Sequence, residues 1–333
     1  MRMILPAGLL ALLLACNGSP APTAEGGGGL VVGAPATHEN LSVYPIRRPG
    51  ATPSSNYLTL EEGLAAGSIV VTDKRDVNEL LIENKSDRPV LVAAGDVVRG
   101  GQQDRSIAND FIIPPRSAPM PLSAFCVEHG RWTKRGAEDA AVFTNSSAGQ
   151  LNSKELKLAA RLEKNQQKVW DEVAKGNAGT AGNVPIIGGL PASGSLELVQ
   201  GDENVKKAVD AYVAKLEPSG GAADAVGFAF CVNGEISTAE IFGDPAIFAR
   251  QWPKLLRAAA AEALAKKPKT AIPNRVTAQD VLAFVQQERD SAKKSRERAG
   301  PAATVTTYDK KEAAIFECAD EAGNVVRRQY IKK

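Results

Sequence analysis

The chain has 333 residues and a net charge of +2, with 44% hydrophobic and 23% charged residues. That balance fits one large or two modest globular domains and argues against a nucleic-acid or membrane-surface footprint over the whole chain. Aromatic residues are only 5% of the total, too few for a base-stacking platform, so no nucleic-acid partner is expected.

Arg2 supplies a short positive region and Met3 to Leu14 an almost unbroken apolar run. The run is too short for a permanent membrane span and suits a signal peptide. It ends Leu13-Leu14-Ala15-Cys16, which resembles the lipobox of bacterial lipoproteins. The resemblance implies that residues 1–16 are a signal peptide and that Cys16 is acylated as the mature N-terminus. The membrane is then a partner through that lipid. Asn17 rather than Asp follows the cysteine, which by the sorting rule for such anchors implies the outer membrane, facing the periplasm. Cys126, Cys231 and Cys318 remain, an odd number that permits at most one internal disulfide. Their apolar neighbours predict buried, inert thiols.

Residues 17–40, which open with NGSPAPTAEGGGG, read as a disordered tether, poor in apolar groups and rich in Pro and Gly. LSVYPI from Leu41 is the first expected strand. In YLTLEEGLAA, Thr59 and Glu62 have capping-box spacing and predict a short helix ended by Gly67. SIVVT, VNELLIEN and PVLVAA read as strands, the last two around the turn Lys85-Ser86-Asp87-Arg88. Further strands are expected near 111–113 and 119–125, with a short one through Val127. Asn152 and Glu155 mark the start of a long helix that Gly176 closes, followed by a glycine-rich surface loop. Asp202 caps another helix with an apolar stripe through Val205, Val209, Tyr212 and Leu216.

Asn233-Gly234 between two alternating apolar runs predicts a hairpin. Asp244-Pro245 then opens a helix in which Pro253 should force a kink or restart. Residues 277–292 form one more amphipathic helix, with the basic run Lys293–Arg298 as its solvated end. Three strand-like runs finish the chain, at 304–308, 313–318 and 325–331. Strands and helices in blocks indicate an α+β fold. Its N-terminal half is β-rich with a long helix. A helix-hairpin-helix and a C-terminal antiparallel strand block complete it. The division drawn from this is a domain at 41–266 and a helix-and-strand extension at 267–333.

The least generic stretch is Gly95 to Trp132, GDVVRGGQQDRSIANDFIIPPRSAPMPLSAFCVEHGRW. Its variety of charges, glycines and aromatics suits short strands whose turns gather polar side chains into a site. Asp96 and Glu128 are the candidate catalytic acids or bases. Gln102, Arg105, Asp110, Arg131 and Trp132 are candidate ligand contacts, with Arg105 and Arg131 holding an anionic group. The competing reading is a salt-bridge network that fixes turns. A Cys126–His129 pair is disfavoured, because residues 126 and 129 point to opposite faces of a strand. No metal is assigned: His38 and His129 are the only histidines, and no Cys/His pair has zinc spacing. No nucleotide or serine-hydrolase motif is present, and the sequence leaves any cofactor unknown.

The pieces YLTLEEGLAAG, VNELLIENKSDRPVLVAAGDVVRGGQQDR, the Ile-Pro-Pro step, CVEHGRW and VNGEISTAEIFGDPAIFARQWPKLLRAAAAEAL together resemble a bacterial family. It is the domain associated with ADP-ribosylglycohydrolase and rhodanese-phosphatase-superfamily proteins, and the resemblance spans most of residues 40–265. The resemblance implies a domain without an assigned chemistry. The expected function is a lipid-anchored envelope module that binds a small anionic ligand or an envelope protein. The alternatives are a hydrolase or transferase acting on a phosphate- or ADP-ribose-like group, and a purely structural surface module.

Overall fold

Two consecutive residues with positive φ, Asn233 (54°) and Gly234 (77°), close the hairpin between β14 (Ala225–Val232) and β15 (Glu235–Phe242). Asn tolerates the left-handed region and Gly enters it freely, which is why this pair turns here. In the computed structural model, which describes residues 23–26, 29–290 and 292–333, this hairpin is the middle of a ten-stranded sheet. β4 (Leu41–Arg47) pairs antiparallel with β14, and β1 (Ala24–Gly26), β2 (Leu30–Val32) and β3 (Ala36–His38) extend that side. Beyond β15 come β19 (Val325–Lys332), β18 (Ala313–Asp320), β17 (Ala303–Asp309) and, at the edge, β16 (Lys293–Arg298).

A second sheet has the antiparallel order β13 (Phe143–Gln150), β9 (Asp96–Gly100), β10 (Arg105–Ile107), β12 (Ser117–Cys126), β7 (Glu79–Asn84) and β6 (Ile69–Asp76). It curls until its ends meet, through a Thr72–Val142 bridge and a 2.8 Å bond from Asp73 N–H to Ala141 O. Closure removes the sheet's open edges. A small third sheet joins β11 (Phe111–Ile113), β8 (Val90–Val92) and β5 (Leu58–Thr59).

Alternation decides what each face of the large sheet buries. Leu41, Val43, Phe228 and Phe230 join a core with α5 (Glu203–Leu216) and α6 (Pro245–Ala265). Tyr44, Ile46, Ala229 and Cys231 face the other way, toward α7 (Ala278–Gln286). Each fully buried Leu, Ile or Phe contributes about 1.5–3 kcal/mol. Local caps set the helix starts. Thr59 and Glu62 complete both arms of the box on α1 (Leu60–Ala65), Asp202 caps α5 and Asp244 caps α6.

Several expectations change. The expected signal peptide with Cys16 (residues 1–16) and, of the expected tether, residues 17–22, 27 and 28 lie outside the described residues, while β1, β2 and β3 are paired strands. Val32 is fully buried beside Tyr44 and Ile46, so apolar burial extends upstream of Leu41. The boundary at 266/267 does not separate two bodies, because β19 pairs along β15 from Thr238–Ile331 to Phe242–Arg327. The strands around Lys85–Arg88 lie in different sheets rather than in one hairpin. The single helix from Asn152 is two, α2 (Lys154–Arg161), capped by Ser153, and α3 (Gln166–Asn183), capped by Asn165.

Gly176 does not end α3. One glycine of that helix is a packing site: a Cβ on Gly179 would sit 2.5 Å from Ala265 O at the end of α6, whereas Gly176 and Gly182 face open space. The loop after it also holds a short helix, α4 (Leu196–Gln200). α6 runs unbroken through the exposed Pro253. α7 ends at Gln286, and the basic run is not a helix end but the strand β16, where an edge position keeps its charges in water.

Candidate functional site

β9 ends in Gly100 (φ 137°) and Gly101 (φ 54°). A Cβ there would lie 2.6 Å from Val142 O or from Phe143 Cζ, so only glycine fits either position. The turn they form delivers Asp104 under the sheet, where Gly100 N–H donates to its Oδ1 at 3.1 Å. From beyond β12, Glu128 comes to the same place. Both carboxylates are 0% exposed.

Two arginines of the loop after Glu128 close over them. Arg131 donates to Glu128 Oε2 at 2.6 Å, to Asp104 Oδ1 at 3.1 Å and to the Gly101 and Thr133 carbonyls. Arg135 donates to Asp104 Oδ2 at 2.5 Å, to Glu128 Oε2 at 2.9 Å and to Glu138 Oε1 at 3.2 Å. Ser195, the N-cap of α4, lies 3.4 Å from both Asp104 Oδ2 and the Arg135 guanidinium. Burial, with the Glu128 charge adding to it, lifts the Asp104 carboxyl to about 6 against the pull of Arg135.

The other candidates lie elsewhere. Asp110 is buried between Arg161 of α2 (2.7 Å) and Arg327 of β19. Arg327 also holds Glu240 of β15 at 2.7 Å, and Gln329 bridges Glu240 and Arg161. Burial works to raise the Asp110 carboxyl, but Arg161 and Arg327 outweigh it and hold it at about 2. Asp96 pairs with Lys254 of α6 at 2.6 Å. The recess those two share with Glu61 and Ser146 is about 10 Å³, room for one water and not for a substrate.

Arg105 donates to Gln103 Oε1 (2.9 Å) and to Cys126 Sγ, with no carboxylate at ion-pair distance among the described residues. Gln102 is half-buried and its backbone N–H reaches Asp73 Oδ2 at 3.4 Å. Trp132 is 53% exposed. The single shared hollow expected for these side chains is therefore not formed. Only Glu128 and Arg131 meet, and they meet in a buried cluster of ion pairs with Asp104 and Arg135. Asp104, Arg135, Arg161, Glu240 and Arg327 are not legible as members from sequence, though Asp104 sits beside Arg105 in the same turn.

Cys126 Sγ meets Arg105 and the Val77 carbonyl, and no base is hydrogen-bonded to it among the described residues. Burial pushes its thiol up to about 11. His129 faces away from it, exposed, with its ring edge-on to Trp170 at 4.5 Å between centroids and 70° between planes. These two rings line a hollow of about 260 Å³ with Gln167, Asp171 and Ser193. Gly130 ties its walls together, donating to Ser193 O at 2.9 Å, where a Cβ would lie 3.0 Å from Ser193 Cα. Larger hollows exist, but one of about 340 Å³ is lined by side chains that neutralise each other, Lys266 with Glu155 and Glu262, and Lys175 with Glu172. Among the described residues no three His, Cys, Asp or Glu side chains form a metal-holding group, and no helix is long and apolar enough to cross a membrane.

These features define an α+β protein with several buried ion-pair clusters and, apart from them, an open hollow lined by His129 and Trp170. Residues 29–330 match the ARG and Rhodanese-Phosphatase-superfamily-associated Protein domain, and the chain belongs to that family. The match runs across position 266 and into the last strand. No curated protein and no solved structure matches the chain.

Proposed function

We propose that the chain is an exported module, anchored through acylated Cys16 on the periplasmic side of the outer membrane, which binds a small polar ligand or a partner's side chain without turning it over. One observation carries the binding part. In the segment richest in chemistry, the exposed His129 is set against Trp170 in the 260 Å³ hollow, while its neighbours Glu128 and Arg131 are buried and bound to each other. An aromatic wall with a few polar groups suits ligand binding. A general base needs its carboxylate within about 2.6–3.2 Å of a substrate proton; Asp96, Asp104 and Asp110 are each paired with a lysine or arginines, and Glu128, with Oε2 on Arg131 and Arg135 and Oε1 without a partner among the described residues, is 0% exposed. That supports binding over turnover, and the buried cluster then acts as the rigid support that positions the His129 loop.

The test has two arms. A thermal-shift screen of metabolite-sized polar compounds should give hits that are lost in His129→Ala and Trp170→Leu at unchanged intrinsic stability. Hits retained in both variants would place the ligand elsewhere. For the anchor, wild type should fractionate with outer membranes and carry labelled palmitate, and Cys16→Ser should do neither. Unlabelled wild type in the soluble fraction would overturn the anchor.

A further inference from the structure

The large sheet ends at β16, with all six of its residues in register against β17, from Lys293–Asp309 to Arg298–Thr304. No strand covers its other edge among the described residues. Such an edge presents a row of backbone N–H and C=O groups to any extended chain. The side chains on it are Lys293, Lys294, Ser295, Arg296, Glu297 and Arg298, and all but Glu297 are exposed. Glu297 is already held by Lys164 at 2.9 Å. Lys294 lies 5.4 Å over the Tyr308 ring, which Arg289 approaches at 5.7 Å, while Lys293 and Arg296 have no protein partner among the described residues.

Strand alternation puts Lys294, Arg296 and Arg298 on one face, about 6.8 Å apart; Arg298 donates to the Gly300 and Pro301 carbonyls, so Lys294 and Arg296 are the two cations open to an added strand. An added strand has the same spacing, so carboxylates on its alternate residues meet those cations one to one. Like charges directly opposite are destabilising. The edge therefore rejects a second β16 and basic segments but admits an acidic one, which is discrimination by repulsion as well as attraction. We propose that β16 is a docking edge for an extended acidic peptide segment of a partner, which joins the sheet as an eleventh strand. A phosphate polyanion would match the charge but not the row of backbone groups, which is why a peptide is favoured. The inference is independent of the His129 hollow.

The test is fluorescence anisotropy on the full chain with a labelled peptide alternating Glu with Val and Thr. The Glu peptide should bind, and the same peptide with Gln for Glu, or with alternate amides N-methylated, should bind at least about tenfold more weakly. Lys294→Glu with Arg296→Glu, both on the exposed edge, should weaken the Glu peptide by about the same factor at an unchanged circular dichroism spectrum. Inorganic polyphosphate should compete poorly. Equal binding of the N-methylated peptide, efficient competition by polyphosphate, or no binding of the Glu peptide to wild type would each overturn the proposal.

Discussion

Arg327 of β19 donates to the carboxylate of Asp110, 217 positions earlier in the chain. The pair ties the last strand of the protein to the centre of its most polar segment, and Arg327 carries Glu240 on its other side. Breaking one partner of a buried pair leaves an uncompensated charge, at a cost of about 3–5 kcal/mol. Arg327→Met should therefore lower the unfolding free energy by about that amount in urea titrations. A chain ended at Lys266 should fail to give a cooperative transition, because β15 would lose β19 from Thr238 to Phe242. A folded, cooperative 1–266 chain would show that the C-terminal strands are dispensable.

The two buried aspartates give opposite pH dependences. Asp110 is held at about 2, below its ordinary 3.8, so its stabilisation is full above about pH 4 and is lost as pH falls toward 2. Asp104 is lifted to about 6, so its contribution is full below about pH 4 and is lost as pH rises through 6. Relative to wild type, Asp110→Asn should flatten the acid side of the stability profile, and Asp104→Asn should remove a decline between about pH 4 and 6. Stability profiles of the three proteins from pH 2 to about 7 check both signs.

Arg105 contrasts with Arg131. It is buried with a sulfur and an amide for company, and its Nε has no protein partner. Methionine keeps the length of the stem and removes the charge, so Arg105→Met should be at least as stable as wild type. Arg131→Met, which strands two carboxylates, should lose about 3–5 kcal/mol. Urea midpoints at equal m-value compare them. A loss in Arg105→Met as large as in Arg131→Met would mean that Arg105 has a counter-charge in solution.

The thiols should be silent. Burial pushes Cys126 up to about 11 and Cys231 to about 12, and Cys318 is also raised. All three are free and buried. Native protein should show no fast reaction of these three with Ellman's reagent and release three equivalents on unfolding, scored in Cys16→Ser.

What is legible in the sequence is what local chemistry determines. Asn233-Gly234, the Thr59–Glu62 box and Asp244-Pro245 name their turn and caps because the forces act within four residues. The α+β class comes from the same local signals. Lys293–Arg298 reads as a helix end because a charged strand and a charged helix end look alike until β17 is known to lie beside it. Gly176 reads as a terminator, yet α3 runs on through it to Asn183, and only the approach of α6 reveals Gly179 as a packing position. The candidate site is legible as a set of charged residues but not in its pairing. Asp110 finds Arg161 and Arg327, and Asp96 finds Lys254, from distant segments that no spacing rule connects.

The frame of buried ion pairs and the open hollow are separable, and one comparison tests that separation. For any compound that binds wild type, the Kd and the melting temperature are measured in His129→Ala and in Asp110→Asn. The expected result is that His129→Ala weakens binding at least about tenfold with its melting temperature unchanged, while Asp110→Asn melts earlier and binds as wild type does. The reverse pattern, binding lost with Asp110 and kept without His129, would contradict it.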